Sequence, residues 1–332
     1  MKITSSTASP AATPAPRLRV RLRHSGPLLA LLLLIGFNAL ITPNFLSMQT
    51  LSVNITQVAT IAIVAMGMTL VIATGGIDLS VGAVMALAGA IVPLIFLSSA
   101  GQDFPLIMTL IAIIAALGVA TLCGLFNGML VSRFGVQPIV ATLILFISGR
   151  GLAQVLTNGN LQTFDNPMFE YLGAGRLLGA PIQGWLVMLI AAIAVFVVSR
   201  TRFGRYLLAS GGNPRAAELA GVPVARVRMI AYTLCALLAG LAGMISVAIN
   251  SASDAARNGQ LMELDAIAAA VVGGALLQGG RAPFIGVIIG AAIIQLVRYT
   301  LLANGVPDEV ALIVKAAIIV AAVYLQSLRG GH

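Results

Sequence analysis

Apolar segments follow one another along this chain with almost no charge inside them. Hydrophobic residues make up 59% of the sequence and charged residues only 9%. Soluble domains carry about 25% charged residues, and a chain with so few cannot cover its apolar surface with polar groups. We therefore expect the chain to use lipid as its solvent and to cross a membrane many times.

The lengths of the apolar segments predict helices. A hydrocarbon core about 30 Å thick requires roughly 20 apolar residues per helical crossing. The segments also lack the alternation of a barrel strand. The sequence thus predicts an all-α polytopic membrane protein with about ten transmembrane helices. The predicted spans are 28–43, 54–73, 79–98, 105–131, 137–157, 183–199, 229–250, 264–278, 283–302 and 309–327.

The basic residues are sorted between the two sides of this predicted topology. Outer loops hold mainly Arg176 and Arg257. Inner segments hold Arg17, Arg19, Arg21, Arg23, Arg133, Arg200, Arg202, Arg205, Arg215, Arg226, Arg228, Arg281 and Arg329. This positive-inside pattern predicts an even number of spans with both termini in the cytoplasm. The net charge of +9 is then explained by topology and anionic lipid, without nucleic acid.

The composition divides the chain into three parts. Residues 1–26 combine a Ser-, Thr-, Ala- and Pro-rich stretch with four arginines, which predicts a disordered basic cytoplasmic N-terminus. Residues 27–328 form the expected transmembrane domain. Within that domain, residues 200–228 are the longest polar stretch on the inner side and form a cytoplasmic loop.

The chain lacks the groups that an enzyme or an ATPase would need. Its two lysines, Lys2 and Lys315, do not follow a glycine in a phosphate-binding loop. No arrangement of nucleophile and base is visible, and His24 and His332 have no metal-ligand spacing. We expect no catalytic residue, no metal site and no cofactor on this chain, which favours passage or binding of a solute.

The cytoplasmic loop carries signals for a short helix of about two turns. Asn213 suits the N-cap and Pro214 the first helical position, whereas Gly221 suits the C-terminal cap and Pro223 blocks continuation. The alternative is a solvated connector, which needs no such signals. The side chains expected to face a partner are Ala216, Ala217 and Leu219.

Several segments resemble one family of transporters. Residues 211–222, GGNPRAAELAGV, resemble the coupling-helix loop of ABC importer permeases. Residues 67–83, GMTLVIATGGIDLSVGA, are similar to a signature of the ribose/galactose-type sugar permeases, as are NGMLV from 127, ATLIL from 141, GRGLA from 149 and LDAI from 264. The likeness runs in the family's order from about residue 50 to the end. Within the family, the chain looks closest to galactofuranose permeases.

This resemblance implies a function and partners. The chain would be the permease subunit of an ATP-binding-cassette importer in the bacterial inner membrane. It would pass a monosaccharide, a pentose or hexose with galactofuranose as one candidate, from a periplasmic binding protein into the cytoplasm. A second permease subunit would complete a homodimer or heterodimer, and two cytoplasmic ATPase domains would bind ATP and Mg²⁺.

The resemblance also implies a role for the cytoplasmic loop, which in that family transmits closure of the ATPases to the translocation path. The residues expected to couple the two are Gly212, Asn213, Pro214, Ala216, Ala217, Glu218 and Gly221.

Two glycines interrupt the apolar run after the second predicted span. Gly75 and Gly76 end that span, and Asp78 or Ser80 is suited to cap the next helix. A tight hairpin with a cap is one interpretation, and a gate or cargo contact near the cytoplasmic mouth is the other. A similar pattern at Gly279–Gly280 is weak evidence for an internal repeat.

Three basic residues fall inside predicted spans, where each costs about 2.5–3.5 kcal/mol. Arg150, Arg298 and Lys315 either snorkel outward and pair with Glu263, Asp308 or Glu309, or the two arginines line the path and donate to sugar hydroxyls. The amides and hydroxyls in the spans either line the path or bond neighbouring helices. The candidate lining residues are Asn127, Thr142, Ser148, Arg150, Gln154, Asn250, Gln295 and Arg298.

Two other functional classes remain open. A secondary transporter of a small polar solute would use an ion gradient, but the spans contain no paired acids at midplane depth of the kind that ion coupling uses. A membrane enzyme or scaffold is disfavoured because reactive groups do not cluster.

Overall fold

The computed structural model describes residues 25–330. Positions 1–24 of the predicted disordered N-terminus therefore lie outside the described residues. Between 25 and 330 the chain forms fourteen α-helices and four two-residue strands. The helices are α1 Ser25–Ile41, α2 Met48–Ala73, α3 Val81–Phe96, α4 Ser99–Asp103, α5 Pro105–Ser132, α6 Pro138–Leu156, α7 Pro167–Ala174, α8 Ile182–Arg200, α9 Arg202–Gly212, α10 Pro214–Leu219, α11 Val224–Asn250, α12 Met262–Val272, α13 Phe284–Ala303 and α14 Asp308–Gly330. The strands are β1 Gln162–Thr163, β2 Arg176–Leu177, β3 Ala180–Pro181 and β4 Ala252–Ser253.

Six of these helices, α2, α5, α6, α8, α11 and α13, are long and apolar enough to cross a membrane. The polytopic membrane character is therefore confirmed. The predicted span at 264–278 is not a full crossing, because α12 has only eleven residues and ends at Val272. Eleven residues rise about 16 Å, which is roughly half of the hydrocarbon core.

Small residues bring the central helices together. Helix α11 packs on α2, α3 and α5, and α2 and α3 are buried along most of their length. A Cβ on Gly67 of α2 would lie 3.0 Å from Cys235 Cα of α11, and one on Gly124 of α5 would lie 2.6 Å from Thr233 Cα. Close backbone approach through small residues is how helices pack when lipid is the solvent.

The two ends of the bundle differ. At one end, here named the sheet end, β1 pairs antiparallel with β4, and β2 and β3 form a hairpin. At the other, here named the α10 end, the last turn of α2 meets α9 and the segment before α13. Helix α1 finishes beside the end of α13, where Asn38 Nδ2 donates to Thr300 Oγ1 at 2.7 Å.

Three non-helical segments interrupt the bundle, at 74–80, 251–261 and 273–283. Unpaired backbone is tolerated at membrane depth only where protein buries it or water reaches it. The candidate functional site is therefore expected where polar groups of the protein bond these three segments.

Replacing Gly124 by valine tests the close packing of α5 on α11. We expect the overpacked contact to lower the free energy of unfolding by about 1–3 kcal/mol. The loss of stability is measured by heating the protein with a fluorogenic maleimide, which reacts with the thiols of Cys123 and Cys235 once unfolding exposes them. The control is Gly118→Val on the same helix, where nothing lies within 4 Å of the added Cβ. Equal losses of stability in both variants would contradict this packing.

Candidate functional site

Helix α10 has the caps that the sequence predicts. Asn213 Oδ1 accepts from the backbone N–H of Ala216 at 3.0 Å, and Pro214 occupies the first turn. After the helix, Gly221 has φ +80°, and Val222 N donates to the carbonyl of Ala217 at 2.9 Å. The predicted short helix is confirmed, and its ends are held by local hydrogen bonds.

One face of α10 is open and the other is covered. Leu219 is 87% exposed, and Ala216 and Glu218 are exposed beside it. Ala217 is only 6% exposed, because α10 packs on α9 and α11 and this residue lies on the packed face. The expectation that Ala217 faces a partner is therefore wrong. Gly212, at the end of α9, is exposed and has open space around it.

Backbone from three parts of the chain meets next to α10 at glycines. We name Gly75, Gly211, Gly279 and Gly280 the glycine junction. A Cβ on Gly211 would collide with the carbonyl oxygen of Ala73 and the nitrogen of Gly280, and Gly280 N donates to that carbonyl at 3.0 Å. A Cβ on Gly279 would lie 2.7 Å from the oxygen of Gly211 and 3.0 Å from the nitrogen of Gly75. The end of α9 thus rests directly on both glycine breaks.

The break between α2 and α3 is held by buried polar groups. Asp78 Oδ1 accepts from Ser80 N at 2.9 Å and from Ser80 Oγ at 2.6 Å. Asn127 Nδ2 of α5 donates to Ser80 Oγ at 2.8 Å, and Leu79 N donates to Thr142 Oγ1 of α6 at 3.1 Å. Neither predicted capping side chain bonds the first amides of α3, since Asp78 reaches only Ser80 and the Ser80 side chain makes no cap bond.

This network changes two expectations. Asn127 and Thr142 are completely buried and bond the break, so they do not line an open path in this structure. The break is also not a tight hairpin, because α3 packs mainly on α5, α6 and α11, whereas α2 packs mainly on α11, α12 and α13.

A polar cavity of about 250 Å³ opens beside the break. Its lining includes Gly75, Gly76, Gln137, Arg228 and Tyr232. The Tyr232 hydroxyl donates to the carbonyl of Ile77 at 3.4 Å, and a Cβ on Gly76 would collide with that hydroxyl. The sequence did not predict that Gln137 and Tyr232 line this cavity, and it assigned Arg228 only to the cytoplasmic side. Residues so far apart in the chain give no local signal that they lie close together.

Two candidate lining residues of α6, Ser148 and Gln154, reach the surface of the chain, whereas Thr142 on the same helix does not. Ser148 and Gln154 are exposed, and so is Asn250 at the end of α11. Arg150 is half-buried, and its Nη1 donates to the carbonyls of Ala255 at 3.2 Å, Ala256 at 2.9 Å and Asn258 at 3.2 Å. Among the described residues Arg150 therefore forms no salt bridge, and it holds the segment that follows β4.

The other two basic residues within spans are paired. Arg298 bonds Asp308 through Nε at 3.1 Å and Nη2 at 3.0 Å, which confirms the pairing interpretation for this residue. Gln295, on the same helix, is buried. Lys315 Nζ lies 2.6 and 2.9 Å from the carboxylate oxygens of Asp265 on α12, not beside the acids expected for it.

Two acids are buried together on α12. Glu263 is 5% exposed and Asp265 8%. Both lie in the first turn of α12, and the expectation that the spans contain no paired acids at midplane depth stays a prediction. Asp265 is paired, whereas Glu263 Oε2 has no hydrogen-bond partner among the described residues.

Comparison with known proteins gives one family and a set of relatives. Residues 51–323 match the family model described as branched-chain amino acid transport system / permease component. The galactofuranose transporter permease protein of Escherichia coli K12 is 39% identical over 96% of this chain and 94% of its own. The ribose import permease protein of the same strain is 40% identical over 90% of this chain and 92% of its own. The fructose import permease protein of Bifidobacterium longum is 36% identical over 74% of this chain and 68% of its own. No solved structure matches the chain.

Removing the positive charge of Lys315 tests the buried ion pair. Lys315→Met leaves the Asp265 carboxylate buried without its partner, and we expect a loss of about 3–5 kcal/mol in thermal unfolding of the purified protein. The matched control is Arg298→Met, whose ion pair is 41% and 49% exposed, with an expected loss of at most about 1 kcal/mol. Adding Asp265→Leu to Lys315→Met should recover most of the stability. Similar losses for Lys315→Met and Arg298→Met would contradict the assignment.

Proposed function

The chain belongs to the branched-chain amino acid transport system / permease component family, and we propose that it is the membrane-spanning permease subunit of an ATP-binding-cassette importer for a monosaccharide. Relatives named for galactofuranose, ribose and fructose support a pentose or hexose as the cargo. The chain supplies the path, and a separate ATPase binds ATP and Mg²⁺ and hydrolyses the nucleotide.

The observation that carries the proposal is the exposed face of α10. A helix of six residues with both ends capped holds Leu219 almost fully in the open, between the exposed side chains of Glu218 and Ala220. An exposed apolar side chain of this size fits a pocket on a protein partner. We assign that pocket to the cytoplasmic ATPase. Asn213, Pro214 and Gly221 shape the helix that presents the anchor.

The glycine junction connects α10 to the interior. Because Gly211 contacts the backbone at Ala73 and Gly280 with no side chain between, a shift of α9 and α10 must displace the ends of both broken segments. The break at 74–80 borders the polar cavity, which we propose is the inner mouth of the path. ATP-driven closure of the ATPases would in this way change the shape of the mouth.

The exposed polar side chains of α6 support a path along this helix. Polar groups facing hydrocarbon are costly, so the exposed amide of Gln154 requires water or protein next to it, whereas Ser148 and Arg150 bond backbone carbonyls of this chain. We propose that a second permease subunit, identical or homologous, covers this face and that the sugar passes between the two. Asn250 lies at the sheet end of the same route.

Charge sets the proposed orientation. The α10 end carries Arg202, Arg205, Arg215 and Arg226 on or beside α9 and α10, so the positive-inside rule places it in the cytoplasm. The opposite, sheet end then faces the periplasm and the sugar-binding protein. Helix α1 finishes at the sheet end, so its start lies on the cytoplasmic side of a bacterial inner membrane.

Uptake of radiolabelled D-ribose and D-fructose by cells that carry the complete transporter tests the proposal. Depleting ATP while a proton gradient is maintained should abolish uptake, and an uncoupler added while ATP is held constant should leave it intact. The reverse pattern would assign the chain to ion-coupled transport.

Leu219→Glu tests the docking role of α10. We expect an acid at this position to prevent co-purification of the ATPase and to reduce ATP-dependent uptake at least tenfold. The matched control is Leu178→Glu at the sheet end, since Leu178 is 86% exposed and Leu219 is 87% exposed. That variant should retain the ATPase. Unchanged co-purification with Leu219→Glu would refute the assignment.

A further inference from the structure

The chain between β4 and α12 leaves the sheet end and packs into the bundle without forming a helix. Residues 251–263, here named the plug segment, begin after the end of α11, include β4 and end with the first two residues of α12. Ser251 has φ +47° and Leu261 φ +59°, a left-handed conformation that residues with a side chain rarely adopt. Strained backbone of this kind clusters at gates and switches.

The plug segment packs on glycines of α3 and α11. A Cβ on Gly82 would collide with the oxygen of Gly259 and would lie 2.6 Å from Glu263 Oε2. Asn258 Nδ2 donates to the carbonyl of Met85 at 3.0 Å, and a Cβ on Gly89 would collide with this same amide group. The glycines of the seat therefore let the backbone of Gly259 and the side chain of Asn258 lie directly against α3 and α11.

Three polar atoms of the plug segment are buried without a hydrogen-bond partner among the described residues. They are Ser253 Oγ, Asn258 Oδ1 and Glu263 Oε2. Their residues are 0%, 7% and 5% exposed. Burying such atoms unpaired is unfavourable, so the seated position carries a cost that contact with hydroxyl groups or water would remove.

Basic side chains hold the plug segment and the helix that follows it on two flanks. On one flank Arg150 donates to the carbonyls of Ala255, Ala256 and Asn258, and its charge also acts on Glu263. On the other flank Lys315 bonds Asp265, two residues beyond the plug segment. Basic groups thus act on both flanks, and in the seat between them the only side chain of the plug segment described as donating a hydrogen bond is that of Asn258.

We propose that residues 251–263 are a movable plug that leaves its seat on α3 during transport, and that Ser253, Asn258 and Glu263 then hydrogen-bond the hydroxyl groups of the passing monosaccharide. The proposal rests on the transport function inferred above. All three groups accept hydrogen bonds, and a sugar offers several hydroxyl donors, so the chemistry of the two sides matches. Arg150 and Lys315 act as positioning residues that return the plug segment to its seat.

Cysteine at position 253 tests the movement. Ser253→Cys is nearly isosteric and places a thiol where the resting structure gives no access. We expect a membrane-impermeant thiol reagent, added outside cells with the complete transporter, to label it at least tenfold faster with ATP and D-ribose or D-fructose than after ATP depletion. The two native cysteines are buried, so the wild-type chain supplies the background. Thr109→Cys, at a position 3% exposed outside the plug segment, should stay unlabelled in both states.

A second variant tests the seat. Gly82→Ala should hold the plug segment away from α3, so that Ser253→Cys is labelled rapidly even after ATP depletion. Gly118→Ala, in open space, should leave the labelling unchanged.

The outcomes separate this inference from the transport function. Slow labelling of Ser253→Cys in both energy states, with sugar uptake intact, would overturn the plug and leave the transport function standing. Uptake by the wild-type transporter that survives ATP depletion and collapses with an uncoupler would overturn the ATP-driven transport function itself.

Discussion

Backbone groups that leave a helix inside a membrane need partners within the protein, and this requirement organises the whole bundle. The break at 74–80 finds its partners in Tyr232 and Thr142. The segment at 251–261 is held by Arg150, and the one at 273–283 donates to the last turn of α2. These partners come from three helices, α2, α6 and α11, so the breaks can exist only where several helices meet. This is why the buried helices α2, α3 and α11 surround them.

Glycines allow these backbone segments to approach one another closely enough for contact. At the glycine junction and at the seat of the plug segment, backbone lies against backbone, and an added methyl group would collide. Contacts of this kind transmit displacement directly, since no flexible side chain lies between them to absorb it. The close contacts near α10 and near α3 thus follow from one residue type.

The sequence predicted the features that depend on local chemistry. The long apolar runs gave the helices, and Asn213, Pro214 and Gly221 gave the ends of α10, because capping acts within one turn of chain. Hydropathy could not show that the run at 264–278 holds only a half-crossing, since an apolar residue scores the same in either setting. Lys315 lies 50 residues from Asp265, and no local pattern connects them. The burial of Ala217 depends on packing against α9 and α11, which no capping rule describes.

Hydrogen–deuterium exchange of the complete transporter in lipid nanodiscs tests the central claim, that α10 and the helix breaks move as one unit. In the resting complex, the amides at 74–80 and 273–283 should exchange slowly, because protein buries them. Trapping the ATPase in its closed state should change the exchange of 211–221 and of both breaks together. A change confined to 211–221, with both breaks as protected as before, would contradict the account.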